Sequence, residues 1–210
     1  MMSDKIPGVV LAAGDSSRFE IGNKLLMPLC GHAVIYHTTR AMLESQLESI
    51  FLITGFERPK IIRALEELGR HSKLSVIENP NWPTGRASSV RTAIKKMPSN
   101  ALGALFLPGD MPLMTSALIN RVIEQFAKLG KLTFPVLNDE KGHPVLFPRE
   151  LWPEVMKLQG ETSAMSLVKT HWADSEKILL ESGEEVTQWD MDTPEEYELI
   201  KRDFDKRSLG

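Results

Sequence analysis

Four times before Gly130 a short apolar run hands over to a segment of helical spacing, and no other feature restricts the fold of this chain as strongly. Val9, Val10 and Leu11 centre a strand over Pro7–Ala13 that stops at Gly14. A run this apolar is buried on both faces, as parallel strands covered by helices are. A helix over His32–Leu47 follows, with Ile35, Met42, Leu43 and Leu47 on one stripe. Ile50–Thr54 repeats the pattern and stops at Gly55; Ile61, Leu65 and Leu68 then recur at helical spacing up to Gly69. Leu74–Ile77 and Ser88–Met97 form a third pair around the turn-rich Asn79–Gly85. Ala104–Leu107 opens the fourth, and Thr115 or Ser116 caps a helix carrying Leu118, Val122, Phe126 and Leu129. The expected fold class is α/β, a three-layer, Rossmann-like, mostly parallel sheet. Right-handed crossovers line up the loops after the strands along one edge, where such sheets bind ligands.

Beyond Gly130 the pattern loosens. Leu132–Val136 and Val145–Phe147 read as two further strands, and Trp152–Leu158 and Ala164–Lys169 as helical stretches. Thr193-Pro194-Glu195-Glu196 is a capping box with proline at the first helical position, opening a last helix toward Phe204. Repeats, linkers and composition shifts are lacking, so residues 1–210 are expected to form one domain.

The loop after the first strand carries the chemistry. Leu11, Ala12, Ala13 and Gly14 lead into Asp15-Ser16-Ser17-Arg18, and Lys24 follows Gly22-Asn23. Small residues let backbone N–H groups approach a phosphate, hydroxyls add donors, and Arg18 and Lys24 add the charge a triphosphate needs. Neither common phosphate loop fits. Gly14 and Gly22 are too far apart for a Walker A motif, and Leu25 follows Lys24. Gly14 alone does not make a dinucleotide fingerprint, which leaves Glu57 little weight as a ribose-binding acid.

These segments resemble the nucleotidyltransferases built on a Rossmann-like sheet, and within them the molybdenum cofactor cytidylyltransferase group. The resemblance runs through Leu11-Ala12-Ala13-Gly14-Asp15-Ser16-Ser17-Arg18, Gly85-Arg86-Ala87-Ser88-Ser89, Pro108-Gly109-Asp110-Met111-Pro112, Gly142-His143-Pro144 and Asp190-Met191-Asp192-Thr193-Pro194-Glu195. It implies the nucleotide-diphospho-sugar transferase type of sheet. It also implies a Mg²⁺-dependent transfer of CMP from CTP to a phosphorylated acceptor, molybdopterin, with pyrophosphate released and a molybdoenzyme as client. Ala13 stands where related guanylyltransferases carry a second glycine, so the resemblance favours cytosine over guanine.

Such a transfer needs positioning and charge neutralisation more than a strong base, because the acceptor phosphate arrives ionised. Lys24, Arg18 and Asp110 are accordingly the expected catalytic residues. Asp110 ends a buried strand and is the expected Mg²⁺ ligand, with Asp190 the expected second and Asp192, close enough to the capping box to be a structural carboxylate, its alternative. The nucleotide is expected to contact Leu11, Ala12, Ala13, Gly14, Ser16, Arg18, Lys24, Asn79, Gly85, Ser88 and Pro108, with His143 on the acceptor side. The Gly85–Ser89 stretch reads equally as an ordinary helix N-terminus. Two positions depart from the group: Lys141 precedes Gly142-His143-Pro144 where arginine is usual, and Met165 replaces an arginine of the acceptor side.

Composition closes off other classes. A net charge of −3 and a pI near 6.0 argue against nucleic acid as a partner. No stretch approaches the roughly 18 apolar residues of a membrane span. The single Cys30 and the absence of a signal-peptide pattern fit the cytoplasm. Two alternatives keep the same nucleotide loop: a transferase acting on a sugar phosphate or other phosphorylated small molecule, and a non-catalytic nucleotide-binding carrier of a cofactor.

Overall fold

The computed structural model describes residues 5–17, 19 and 21–208, so Arg18 lies outside the described residues. In chain order the strands are β1 (Gly8–Ala12), β2 (Pro28–Leu29), β3 (His32–Ala33), β4 (Ile50–Thr54), β5 (Leu74–Glu78), β6 (Gly103–Pro108), β7 (Thr133–Leu137), β8 (Glu140–Lys141), β9 (Val145–Pro148) and β10 (Glu176–Leu179). The helices are α1 (Val34–Leu43), α2 (Arg58–Ala64), α3 (Arg86–Ile94), α4 (Ser116–Leu129), α5 (Trp152–Val155), α6 (Met165–Thr170) and α7 (Pro194–Ser208). The main sheet runs β10-β7-β9-β6-β1-β4-β5, with β8 attached to β7. β9 and β8 are the antiparallel members; β5, β4, β1 and β6 are parallel, as are β7 and β10. The expected three-layer, mostly parallel sheet is the one observed. No helix among the described residues is long and apolar enough to cross a membrane.

Period-two alternation builds two cores from one sheet. Val10, Ala12, Leu52, Leu105 and Leu107 face α1, α2 and α4, packing on Ile35, Met42, Ile61, Leu118 and Val122. Val9, Ile53, Ala104, Phe106, Val145 and Phe147 face the other layer, against Val90, Val155, Leu167 and Val168 of α3, α5 and α6. Each fully buried Leu or Ile contributes roughly 1.5–3 kcal/mol from removing its apolar surface from water.

Several helix boundaries differ from the sequence expectation; α2 ends at Ala64 short of Leu68, and α5 at Val155 short of Leu158. The helix expected over His32–Leu47 is shorter, because Pro28–Ala33 form a small antiparallel hairpin and Ser45 turns its hydroxyl onto the Met42 carbonyl at 2.6 Å. That bond competes with the helical ladder at its end and releases the chain toward β4. The third helix starts at Arg86 rather than Ser88 and ends at Ile94. β10, half-buried at the sheet edge and of mixed polarity, carried no run long enough to be read as a strand.

Chain order explains where ligands can enter. From β1 the chain winds outward through β4 and β5, then crosses back to β6 on the other side of β1. The helices on either side of that reversal leave a crevice beyond the carboxyl ends of β1 and β6. Leu11 and Pro108 are register partners at that edge.

Candidate active site

A cavity of about 630 Å³ opens there. Its floor is Leu11, Ala13 and Gly14 after β1, and Pro108, Asp110 and Met111 after β6. One wall is Trp82, Pro83, Gly85, Arg86 and Ser89, before and within α3. The other is His143, Val145, Ala164 and Met165, with Lys24, Asp190 and Asp192 at the charged end.

The glycine loop is held by its own side chains. Ser16 takes a positive φ of 57°, and its hydroxyl accepts from the Lys24 N–H at 3.2 Å. Asn23 accepts from the Leu25 N–H at 3.1 Å, which caps the short turn that presents Lys24. A Cβ on Gly14 would meet nothing within 4 Å, so this glycine serves no packing contact and leaves the approach to the loop open. Gly85 is different. Its φ of 104° lies in the region that favours glycine, and a Cβ there would collide with the backbone of Gly160. The Ala87 N–H donates to the Gly160 carbonyl at 3.1 Å, fixing the start of α3 against the loop before α6.

The charged end is a compact ion-pair group. The Lys24 ammonium contacts Asp110 and sits 2.6 Å from Asp192 Oδ1. Burial alone would lower its pKa, but Asp110 and then Asp192 outweigh that and hold it above the ordinary lysine value. Asp190 stands at the exposed rim. Partial desolvation, and then the charges of Asp110 and Asp192, raise its pKa above the ordinary aspartate value. Asp110 Oδ1 is buried without a hydrogen-bond partner among the described residues. An unpaired carboxylate oxygen facing further carboxylates fits a divalent cation, since buried polar atoms otherwise find partners. No three His, Cys, Asp or Glu side chains among the described residues form a metal cage by themselves. The donor set therefore suits a hard cation completed by substrate phosphates and water.

Several expected contacts are redistributed. Leu11, Ala13, Gly14, Ser16, Lys24, Gly85, Pro108, Asp110, His143 and Asp190 all line the cavity, so the fold gathers them as the sequence reading expects. Ala12 does not: alternation along β1 turns it into the opposite core, where it is 1% exposed. Asn79 and Ser88 do not line the cavity either. Asn79 is fully buried and donates to Ser88 and Ser89 at 2.8 and 3.0 Å, while its carbonyl accepts from Thr92 and the Asn81 N–H. It braces α3, and Ser89, one residue on, faces the cavity in place of Ser88. Asp192 does not serve the capping box. Thr193 and Glu196 close that box themselves, and Glu196 also accepts from the Asp192 N–H at 2.8 Å, leaving the Asp192 carboxylate to Lys24. Glu57 bonds Lys60 and lies away from the cavity. Trp82 escaped the sequence reading; Gly55 leaves room for its ring, which packs edge-on to Phe56.

Burial holds the His143 imidazole at about 4, outweighing the attraction of Asp110, with Lys141 adding to the depression. Its Nδ1 is buried and has no hydrogen-bond partner among the described residues. An unfolded chain would protonate near 6.5. Between pH 6.5 and about 4 the unfolded state therefore binds a proton that the native state refuses, so stability falls as pH drops. His143→Gln is expected to flatten the urea-midpoint profile across that window. Parallel profiles for the two proteins would show that the ring is not held neutral.

The family model of the MobA-like NTP transferase domain matches residues 8–176, most of the chain. The chain belongs to the MobA-like NTP transferase family. Asp190 and Asp192 lie beyond the matched segment. Among relatives, the chain is 28% identical to the purine catabolism protein PucB of Bacillus subtilis, over 96% of this chain and 98% of that one. It is 25% identical to the molybdenum cofactor cytidylyltransferase of Escherichia coli, over 93% and 95%. It is 35% identical to a protein of Thermococcus sibiricus named "Probable molybdenum cofactor guanylyltransferase", over 60% and 58%. The crystal structure of Rv0371c from Mycobacterium tuberculosis in complex with manganese superposes with a TM-score of 0.75 at 23% identity, covering 94% and 98%. The chain is thus a nucleotidyltransferase of the NTP transferase family, with the fold of that group.

Proposed function

We propose that this nucleotidyltransferase moves CMP from CTP to molybdopterin with the help of Mg²⁺, releasing pyrophosphate. The observation that carries the reading is the meeting of Lys24 with Asp110, Asp190 and Asp192 beside the open Gly14 loop. A triphosphate laid along that loop brings its negative charge to a lysine and to carboxylates that suit a divalent cation. Asp110 and Asp190 would hold the cation, and Asp192 shares Lys24 with Asp110. When bound, Mg²⁺ would supply neutralisation of the phosphate charge. Lys24 stabilises charge building at the α-phosphorus, where no proton has to be taken from the acceptor. Arg18, outside the described residues, is assigned to the triphosphate with it. Trp82, Pro83, Gly85 and Ser89 frame the base and ribose, braced from behind by Asn79. His143, neutral at pH 7, lines the acceptor side of the cavity.

The choice of cytosine rests on Ala13, and that of molybdopterin on the Gly142-His143-Pro144 loop and the similarity to the E. coli cytidylyltransferase. In this reading residues 1–210 form one cytoplasmic domain that hands its product to a molybdoenzyme. One observation favours a second acceptor class. Met165 lines the cavity where the resemblance leads one to expect an arginine, so a different phosphorylated small molecule is the runner-up.

Pyrophosphate release is the test, with Mg²⁺, each of CTP, GTP, ATP and UTP, and molybdopterin present or absent. The expected result is release that requires CTP and molybdopterin together. Release with GTP would overturn the reading of Ala13, and release with a sugar phosphate alone would overturn the acceptor. Nucleotide binding without turnover for any pair would leave the carrier.

A further inference from the structure

Gln188 lies beyond the matched segment and outside the cavity wall. Its carboxamide nonetheless closes a two-bond ring with the backbone of His143. The His143 N–H donates to Oε1 at 2.7 Å, and Nε2 donates to the His143 carbonyl at 2.8 Å. The pairing supplies what a neighbouring strand would supply to this stretch between β8 and β9. Gly142 makes it possible, because a Cβ there would run into the carboxamide. Gln188 is itself held from behind. Nε2 also reaches Thr187 Oγ1 at 3.0 Å, Thr187 donates to the Glu184 carbonyl at 2.6 Å, and Glu184 pairs with Arg121 of α4 at 2.6 Å. Two residues further on, Asp190 stands at the cavity rim.

We propose that Gln188 is a positioning residue that fastens the His143 wall of the cavity to the segment bearing Asp190 and Asp192. The acceptor-side loop and the carboxylate end then keep one spacing. This role rests on the transferase reading above. Gln188 bonds His143 and Thr187, while the nucleotide side is built from the Gly14 loop and α3, so its loss reaches the acceptor first.

Three variants test it: Gln188→Met, of similar length but without either bond; Gln188→Glu, which keeps the acceptor for the His143 N–H; and Gly142→Ala, which pushes the carboxamide away. In Gln188→Met the His143 amide is expected to exchange with solvent about tenfold faster, with a modest fall in the unfolding midpoint. The acceptor KM should rise about tenfold, while kcat and the Kd for CTP stay within about twofold. Gly142→Ala should reproduce the faster exchange at the His143 amide, and Gln188→Glu should retain part of the amide protection. Unchanged exchange at His143 in Gln188→Met, or a CTP Kd rising as much as the acceptor KM, would overturn the proposal. A wild-type protein that releases no pyrophosphate sinks the transferase reading and the acceptor role with it, while the exchange data still decide whether the clamp exists.

Discussion

Asp110→Asn is expected to lose roughly 10³ in turnover, about 4 kcal/mol of transition-state stabilisation, while remaining folded. The amide matches the carboxylate in shape but brings no charge to a cation. It also leaves Lys24 with one carboxylate partner, Asp192, in place of two. Two measurements separate the effects: pyrophosphate release with saturating CTP and acceptor, and Mn²⁺ titration followed by electron paramagnetic resonance. Both turnover and cation binding should fall. If cation affinity is unchanged in the variant, Asp110 is not the ligand and its buried, unpartnered Oδ1 has another purpose.

Lys24→Met carries the second large effect, and its two readouts move in opposite directions. Turnover should fall by about 10²–10³, the usual cost of losing one preorganised donor aimed at developing charge. Cation binding without nucleotide should instead tighten by a few fold. In the wild type the ammonium already neutralises Asp110 and Asp192, so an arriving divalent ion must compete with it. Without that ammonium, Asp110, Asp190 and Asp192 repel one another until a cation arrives, and Asp190 should be pushed further up. The same titration on wild type and variant checks this. Weaker Mn²⁺ binding in Lys24→Met would show that the lysine supports the cation site rather than competing for it.

These predictions turn on an arrangement that the linear chain carries unevenly. Lys24, Asp110 and Asp192 come from three separate parts of the sequence, and Lys24 and Asp192 are 168 positions apart. Asp110 could be picked out because it follows a buried run and a Pro-Gly pair, a local signal. The place of Asp192 could not. Its nearest neighbours in sequence, Thr193 and Glu196, explain it as part of a cap, and only the packing of α7 on Phe19, Leu29 and Leu113 turns its side chain to Lys24. The base-side residues show the same limit at a finer scale. One residue along a helix turns a side chain by about 100°, so Ser88 and Ser89 have opposite fates that composition cannot distinguish.

The layered α/β fold, the glycine loop with Lys24, and Asp110 after a buried strand are legible in the linear chain. Each is encoded by neighbours within a few residues: apolar runs, turn residues and helical spacing. Tertiary structure alone decided that Ala12 faces the core, that Asn79 braces α3 rather than lining the cavity, and that Asp192 joins Lys24. It alone brought Gln188 onto His143, 45 positions away in the chain. Directions, unlike element types, depend on register and on how distant elements pack. A single step along a strand reverses a side chain, and a single buried amide finds whichever partner the fold delivers.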